Sequence, residues 1–408
     1  MGLQEYIRDL KNASQLIRRS DEVTLIHHND ADGLTSAAIL IKALEREGKG
    51  YENIAIERVH PKIIERIVEK YDTLLIFVDL GAGAAPMISK INNGKNKIII
   101  LDHHRPTKVT DPHILLLATS LYGISGEREI TASGAAYLLA STLNNANTDL
   151  AYLATIGVIG DSHHKLGELR GIDRQVLEKS VSLGQVDVKI EDDKRRYVLR
   201  VFNEEQDIEW LAKALTTLGA VGYLLKGPDI AIKALLRGFG SEFWNLLNKL
   251  DRIKRSAFDK VINKLINEGL NQSKYVQWVH VYNEFYPMGV KVIGEFCMEI
   301  KDMKFINQLK YLAGFQNMPK EVPKLGKFDW NIVKVSFRLP KLLERKVFND
   351  EMPGYDYIIP RVARHIECVV DACHKHSCAT TLNIGSEEKL IKYIDACVEE
   401  YVEKVQGV

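Results

Sequence analysis

The stretch of sequence that decides the fold is Leu25-Ile-His-His-Asn-Asp-Ala-Asp-Gly-Leu-Thr-Ser-Ala-Ala38, in which an apolar segment runs into a polar cluster. The apolar residues predict a buried strand, and the residues after Gly33 predict a helix. The cluster contains His28, Asp30 and Asp32. In open sheets of parallel strands, ligands bind outside the carboxyl ends of the strands, where this cluster would lie. The stretch therefore predicts an α/β domain with a ligand site at one sheet edge.

Two more apolar segments end in the same kinds of side chain. One is followed by Asp79 and the other by the triplet Asp102-His103-His104. Asp161 follows a further apolar run at residues 150–160, which has the length of a buried helix. Because the carboxyl ends of parallel strands share one sheet edge, we expect these acids and histidines to lie together.

Carboxylates and imidazoles without a thiolate favour a hard divalent ion such as Mn²⁺ or Mg²⁺ over a structural zinc site. The number of carboxylates indicates two ions. Two cations about 4 Å apart can bind a phosphate between them and turn a shared water into hydroxide. The cluster thus predicts hydrolysis of phosphate esters. Asp79, alone at its strand end, is the predicted ligand of both ions.

Other interpretations fit these residues less well. A single Asp or His after a strand is usually a loop residue or a helix cap, but here three strand ends agree. A calcium loop that starts at His28 would need Glu at its twelfth position, where the chain has Ile39. A phosphatase with an aspartyl nucleophile could use Asp30 and Asp32, but it has no need of the histidines, and it is kept as an alternative.

Length and composition narrow the class of protein. A chain of 408 residues exceeds the size of one hydrophobic core, so two domains are expected, and 46% hydrophobic with 27% charged residues is typical of a globular protein. A net charge of +1 gives no generally basic surface, so an anionic substrate would be bound locally. The sequence has no apolar run of about 20 residues, no leader pattern and no CxxC pair, which predicts a cytoplasmic protein without disulfides.

The pattern of elements predicts three parts: residues 1–185, a helical connector at 186–272 and a smaller α/β domain at 273–408. In the first part, strands that alternate with helices predict βαβ units and a parallel sheet. Its predicted strands lie at 23–27, 53–59, 74–78 and 97–101, and its first helices at 35–46 and 62–70. In the third part, strands are predicted at 275–282, 311–315, 332–338 and 380–384, and helices at 289–300, 359–372 and 387–405.

The order of the polar motifs resembles the DHH phosphoesterase superfamily, which is named after the triplet seen here as Asp102-His103-His104. The resemblance covers all four metal motifs of that family. It implies two Mn²⁺ ions, with Mg²⁺ as an alternative. One ion would be held by His28, Asp30 and Asp79, and the other by Asp32, Asp79, His103 and Asp161. His104 would act beside the scissile phosphate, and Asp102 would orient a histidine.

The carboxyl-terminal part resembles the substrate-binding domain of the same family and is predicted to be DHHA1-like. A strand that ends at Arg338 matches the family's strand with a terminal arginine, and Ala372-Cys373-His374 stands where the family has Gly-Gly-His. Arg338 and His374 are therefore predicted to bind substrate, together with Arg105 next to the triplet. Zinc at residues 373–378 is not predicted, because adjacent Cys and His cannot easily turn to one ion. The end of a helix followed by a strand is expected there.

The length of the chain and its helical insertion resemble the archaeal RecJ-like branch of the superfamily. The resemblance implies a manganese-dependent exonuclease that releases mononucleotides from single-stranded DNA or RNA, with 3′ to 5′ polarity favoured, in DNA repair or replication. The alternatives are a phosphodiesterase of short oligoribonucleotides or cyclic dinucleotides, and a replication scaffold that binds a helicase. A helicase or replication protein is the expected partner, and a homo-oligomer stays open.

Overall fold

The computed structural model describes residues 2–191, 194–203 and 205–406. The chain divides into two compact units. Unit 1 extends to Asn248 and includes Val322–Gly326, and unit 2 consists of Lys249–Glu321 and the residues from Lys327 onward. The predicted connector at 186–272 is shared between the units, because the boundary falls within the helix Ser241–Glu268.

Unit 1 is built around a five-stranded sheet in the order β2-β1-β3-β4-β5, with every neighbouring pair parallel. Its strands are β1 (Glu22–His27), β2 (Gly50–Ala55), β3 (Leu74–Val78), β4 (Ile98–Asp102) and β5 (Ile114–Ala118). The strand order changes direction between β1 and β3, which makes this the topological switch point where open α/β sheets bind ligands. The predicted α/β fold with a parallel sheet is confirmed.

Some helices of unit 1 begin where the sequence supplies a capping residue or a proline. The side chain of Asp30 accepts a hydrogen bond from Gly33 N at the first turn of one helix, and Pro61 begins another. The apolar run that precedes Asp161 forms a buried helix, as predicted. The helices are α1 (Leu3–Arg19), α2 (Ala31–Arg46), α3 (Pro61–Lys70), α4 (Ala85–Asn92), α5 (Ala132–Leu143), α6 (Ala151–Gly160), α7 (Gly171–Ser182), α8 (Ile208–Ala220) and α9 (Gly227–Arg237). The next helix, α10 (Ser241–Glu268), begins in unit 1 and continues into unit 2.

Two strand regions of unit 1 are absent from the sequence-based prediction. β5 has a leucine-rich run whose periodicity does not distinguish a short buried strand from a helix. Antiparallel strands β6 (Val186–Glu191), β7 (Lys194–Leu199) and β8 (Gln206–Asp207) form a separate sheet where the sequence predicted helix from residue 191. Apolar and charged residues alternate in β6 with a period of two, which is the signal of a strand.

Unit 2 contains a six-stranded mixed sheet in the order β15-β16-β14-β11-β10-β9. Tyr311, Phe337 and Tyr355 are among the largest side chains of its core. The strands of this half of the chain are β9 (Asn271–Gln272), β10 (Val276–His280), β11 (Tyr311–Asn317), β12 (Glu321–Val322), β13 (Gly326–Lys327), β14 (Ile332–Arg338), β15 (Cys368–Cys373) and β16 (Ser377–Asn383). The helices are α11 (Val292–Ile300), α12 (Lys341–Phe348), α13 (Tyr355–Val362) and α14 (Glu387–Gln406).

The segment that stands in place of the family's Gly-Gly-His turn differs from the prediction. A helix was predicted over 359–372, but α13 ends at Val362 and β15 follows it. β15 and β16 then form an antiparallel hairpin that pairs Cys373 with Cys378. The β-branched pair in Cys368-Val-Val favours a strand at this position. The side chain of Ala372 lies outside the described residues. Within the part of the chain that the structure describes, no helix has the length and apolar character needed to cross a membrane.

Candidate metal centre

The polar motifs of unit 1 meet because their strands are neighbours in the sheet. In the parallel register, His27 of β1 lies beside Val78 of β3, and Val78 lies beside Leu101 of β4. The chain positions that follow these residues are therefore delivered to the same sheet edge. His28 and Asp79 occupy two of these positions. Acids and histidines therefore cluster at this edge of the sheet.

Asp79 lies at the centre of this cluster. Its φ of 62° is in the left-handed region, which is uncommon for a residue with a side chain, and its N–H donates to Leu101 O at 3.0 Å. One carboxylate oxygen, Oδ2, lies 3.3 Å from His28 Nδ1. The other, Oδ1, lies 3.5 Å from His103 Nε2 and 4.0 Å from His104 Nδ1. Asp79 is only 3% exposed, so a single buried carboxylate faces both sides of the site.

His28, Asp30 and Asp79 form the first group whose ligand atoms could hold one metal ion. His28 Nδ1 lies 2.9 Å from Asp30 Oδ2. Asp30 Oδ1 accepts from Gly33 N at 3.1 Å, so the cap of α2 fixes this carboxylate. A Cβ added at Gly33 would lie 2.5 Å from the carbonyl oxygen of His28, so only glycine allows the helix to start this close to the strand end.

Asp79, His103 and His104 form a second group. His103 Nδ1 lies 2.7 Å from Gly126 O, which anchors the ring from behind. Burial lowers the pKa of His103, but Asp79 and Asp161 outweigh it and hold that pKa well above its ordinary value. The carboxylates around His103 thus supply negative charge that a cation would neutralise.

Asp102 is turned away from the centre and supports His104. Its Oδ2 accepts from Ala82 N at 2.9 Å, and its Oδ1 accepts from His104 N at 3.1 Å and lies 2.7 Å from His104 Nδ1. Burial raises the pKa of Asp102, but His104 outweighs it and the pKa lies below its ordinary value. Asp102 has the position expected of a residue that orients His104.

His103, Asp161 and His163 form a third group, and His163 is a residue that the sequence analysis missed. His163 Nε2 lies 3.0 Å from Asp161 Oδ2, and His163 Nδ1 lies 2.7 Å from Asp173 Oδ2. Burial lowers the pKa of His163, but the hydrogen bonds to the two carboxylates raise it to about 9. The signal in the sequence was the pair of histidines that begins two positions after Asp161.

Asp32 is close to the cluster, but its carboxylate is hydrogen-bonded to the first residues of α5. Its Oδ2 accepts from Ala132 N and its Oδ1 from Ser133 N, each at 2.9 Å, at the start of α5. Burial, followed by the charges of Asp79 and Asp161, raises the pKa of Asp32 well above its ordinary value. Among the described residues, Asp32 belongs to none of the three groups, although each of its oxygens keeps a second lone pair. Its role as a ligand stays a prediction.

The predicted substrate-binding residues fall in both units. Arg105 follows His104 in unit 1 and is exposed. In unit 2, Arg338 pairs with Ser377 at the end of β14, and His374 N donates to Ser377 O at 2.8 Å. Arg338 and His374 therefore lie at the same end of their sheet. Arg338 Nη1 donates to Phe337 O at 2.8 Å and to Ser336 Oγ at 3.2 Å, which directs the guanidinium along this end.

Together these features describe an α/β protein of two units, with a site of acids and histidines at the switch point of its parallel sheet. The donors in the three groups are carboxylate oxygens and imidazole nitrogens, which fit divalent ions such as Mn²⁺ and Mg²⁺. Residues 22–158 match the DHH family, N-terminal domain. Residues 22–158 are therefore a DHH domain, and the resemblance drawn from its motifs is confirmed.

Comparison with individual proteins gives a RecJ-like fold. An uncharacterized protein of Methanocaldococcus jannaschii is 31% identical over 189 residues, which are 44% of this chain and 42% of that protein. The single-stranded-DNA-specific exonuclease RecJ of Thermus thermophilus is 24% identical over 289 residues, 67% of this chain and 41% of RecJ. The crystal structure of Thermus thermophilus RecJ with Mn²⁺ has a TM-score of 0.62 at 17% identity and covers 96% of this chain and 55% of RecJ. The matches to the two curated relatives thus span about two fifths of their length.

Proposed function

We propose that this protein is a manganese-dependent exonuclease that releases mononucleotides from single-stranded DNA or RNA, in repair or replication. The observation that carries the proposal is the buried Asp79 carboxylate, with one oxygen toward His28 and the other toward His103. A carboxylate that faces two groups of ligands is what a pair of metal ions with a shared ligand requires. The RecJ-like fold and the distant RecJ relatives support a nuclease within the superfamily.

Two divalent ions are assigned to the site in this proposal. Structures of RecJ from Thermus thermophilus have been solved with Mn²⁺ and with Mg²⁺, which supports a divalent cofactor. Such ions, when bound, polarise a phosphate and lower the pKa of a bound water. One ion would be held by His28, Asp30 and Asp79, and the other by Asp32, Asp79, His103 and Asp161.

His104 is the residue that we assign to the scissile phosphate. Its Nδ1 faces Asp102, and its side chain is 53% exposed, so Nε2 is the nitrogen that a phosphate oxygen can reach. Burial lowers the pKa of His104, but the charge and hydrogen bond of Asp102 outweigh it and raise the pKa. A protonated His104 donates to the oxygen that gains negative charge in the transition state. Asp102 positions the ring for this purpose.

Unit 2 is assigned to the nucleotide chain. Arg338 supplies a permanent charge and His374 a ring donor at one end of the sheet, and both can bind phosphate or a terminal hydroxyl. Arg105 adds a third basic side chain next to His104. Polarity from 3′ to 5′ is proposed on the resemblance to the RecJ-like branch. A helicase or another replication protein is the partner that this role would need.

The test uses single-stranded DNA and RNA labelled separately at each end, with Mn²⁺, with Mg²⁺ and with excess chelator. We expect a metal-dependent ladder that stops at duplex, with mononucleotide products. Degradation from the 3′ end supports the proposed polarity, and degradation from the 5′ end reverses it. Activity confined to dinucleotides or cyclic dinucleotides would replace the proposal with a small-substrate phosphodiesterase. Absence of hydrolysis with every substrate would favour a helicase-binding scaffold.

A further inference from the structure

His163 is a buried histidine next to the proposed metal centre that the proposed function does not use. Its side chain is only 5% exposed, and both ring nitrogens face carboxylates. Nδ1 lies 2.7 Å from Asp173 Oδ2, and Nε2 lies 3.0 Å from Asp161 Oδ2. Burial of an imidazole between two acids has a desolvation cost, and such a site calls for a physical reason.

Asp173 fixes the orientation of this ring. The carboxylate is fully buried, and its Oδ1 accepts from Thr131 N at 3.0 Å and from Thr131 Oγ1 at 3.2 Å. Because Oδ1 is held in this way, Oδ2 is left to accept from His163 Nδ1–H. Because Nδ1 donates to Asp173, Nε2, which faces Asp161, is the nitrogen whose lone pair the neutral ring can offer to a cation.

The same arrangement occurs at His103, which is already assigned to the metal site. His103 Nδ1 meets Gly126 O at 2.7 Å, while Nε2 faces the central Asp79. The ring centroids of His103 and His163 are 6.3 Å apart, and one ligand atom from each, with one from Asp161, lies within 4.8 Å of the others. Histidines that ligate metals nearly always donate the other ring N–H to a carboxylate or a carbonyl.

We infer that His163 is a ligand of the divalent ion at Asp161 and His103, and that Asp173 positions its ring. The inference rests on the proposed function, because it adds a ligand to one of the two ions assigned there. A purely structural histidine would change stability and leave the affinity for the ion unaltered. A ligand would change the affinity for the ion even in a variant that folds normally.

The added imidazole also predicts which ion this position prefers. Mg²⁺ takes oxygen donors and keeps several waters, whereas a site with two imidazoles and carboxylates suits a transition metal such as Mn²⁺ better. We therefore expect the loss of His163 to weaken Mn²⁺ binding more than Mg²⁺ binding.

The experiment measures Mn²⁺ binding to the full chain without nucleic acid, by titration calorimetry and by electron paramagnetic resonance. Loss of a residue that only supports a ligand costs about 10- to 100-fold in metal affinity, so for His163→Ala we expect the affinity for one ion to fall by more than this while the other ion binds as in the wild type. The pulsed spectrum should lose the nitrogen coupling of one imidazole. Asp173→Asn keeps an acceptor for Nδ1 but removes the charge, and we expect a smaller loss.

His164→Ala is the matched control, because His164 is the next residue of the same turn. Its ring lies edge-on to Tyr197 at a centroid distance of 5.8 Å, and its Nε2 lies 3.8 Å from Glu209 Oε2. We expect two Mn²⁺ ions to bind to this variant with wild-type affinity. His163→Gln, which preserves a polar side chain of similar length, replaces the alanine variant if thermal unfolding in chelator shows that His163→Ala does not fold.

The results separate this inference from the proposed function. Wild-type Mn²⁺ affinity and an unchanged number of nitrogen couplings in a folded His163 variant would overturn the role of His163 and leave the metal centre intact. Failure of the wild-type chain to bind Mn²⁺ would overturn the metal centre and the role of His163 together.

Discussion

The metal centre has two sides that are built in different ways. On one side, His28, Asp79 and the triplet Asp102-His103-His104 follow three neighbouring parallel strands, so the register of the sheet brings them together. On the other side, Asp161 and His163 follow α6 and reach the site through the packing of helices. Residues on the strand side are recognisable in the sequence because each follows an apolar run. On the helix side only Asp161 follows such a run, and His163 has no local pattern that marks it.

The largest effect is expected on the strand side, at Asp79. In Asp79→Ala, both proposed ions lose their shared ligand, so we expect hydrolysis to fall at least about 10³-fold. The measurement is the rate of nucleotide release with saturating Mn²⁺. His113→Ala is the control, because His113 pairs with Asp111 at 3.2 Å but precedes β5 and so lies at the opposite sheet edge. Normal hydrolysis by Asp79→Ala would show that Asp79 is not a ligand shared by two ions.

His104→Ala separates chemistry from metal binding on the same side. We expect kcat to fall about 10²- to 10³-fold, because a donor to the developing charge is lost. Mn²⁺ affinity should stay at the wild-type value, since the side chain is assigned to the phosphate. Single-turnover kinetics together with Mn²⁺ titration provide both readouts. A large loss of Mn²⁺ affinity with unchanged single-turnover rates would instead make His104 a ligand.

Gly33 lies where the start of α2 approaches the chain that follows β1. In Gly33→Ala, the new Cβ would lie 2.5 Å from His28 O, so α2 or the strand end has to move. We expect a loss of about 1–3 kcal/mol in the free energy of unfolding, measured by urea denaturation. Gly240→Ala is the control, because an added Cβ there meets no atom within 4 Å. Equal stability of the two variants would show that the junction is more adaptable than its geometry suggests.

The smallest effect is expected at Thr131, on the helix side of the metal centre. Its Oγ1 accepts from Gly134 N at 3.2 Å as the cap of α5, and α5 in turn holds Asp32. Thr131→Ala should cost about 1 kcal/mol of unfolding free energy, and it should weaken Mn²⁺ binding because Asp32 and Asp173 lose support. Thr131→Ser keeps the hydroxyl and should restore both. Unchanged Mn²⁺ affinity in the alanine variant would show that the helix side acts independently of this cap.

The sequence predicted the fold class because the alternation of strands and helices is a local signal in unit 1. It failed at β5, where a leucine-rich edge strand has the composition of a helix. It also failed at β15, where a helix was predicted to continue to residue 372 but α13 ends at Val362. At β5 the pairing with β4 decides the conformation, and that information is not local.

The residues of the site that follow strands were also predictable, because a local signal in the sequence marks the strand ends. The apolar runs before Asp79 and Asp102 identify strand ends, and the order of the motifs identifies the superfamily. His163 was missed because its partner Asp173 lies on α7, and their contact depends on how α7 packs beside α6. The hydrogen bonds from α5 to Asp32 join residues about a hundred positions apart, which no spacing rule predicts.

The left-handed backbone at Asp79 has a consequence for how this fold could lose its activity. Asparagine adopts the left-handed conformation at least as readily as aspartate and has nearly the same shape. Asp79→Asn would therefore keep the turn after β3 while it removes the central negative charge. A single replacement of oxygen by nitrogen would then give a correctly folded but inactive protein. In a fold arranged in this way, a folded but inactive descendant can arise in one step.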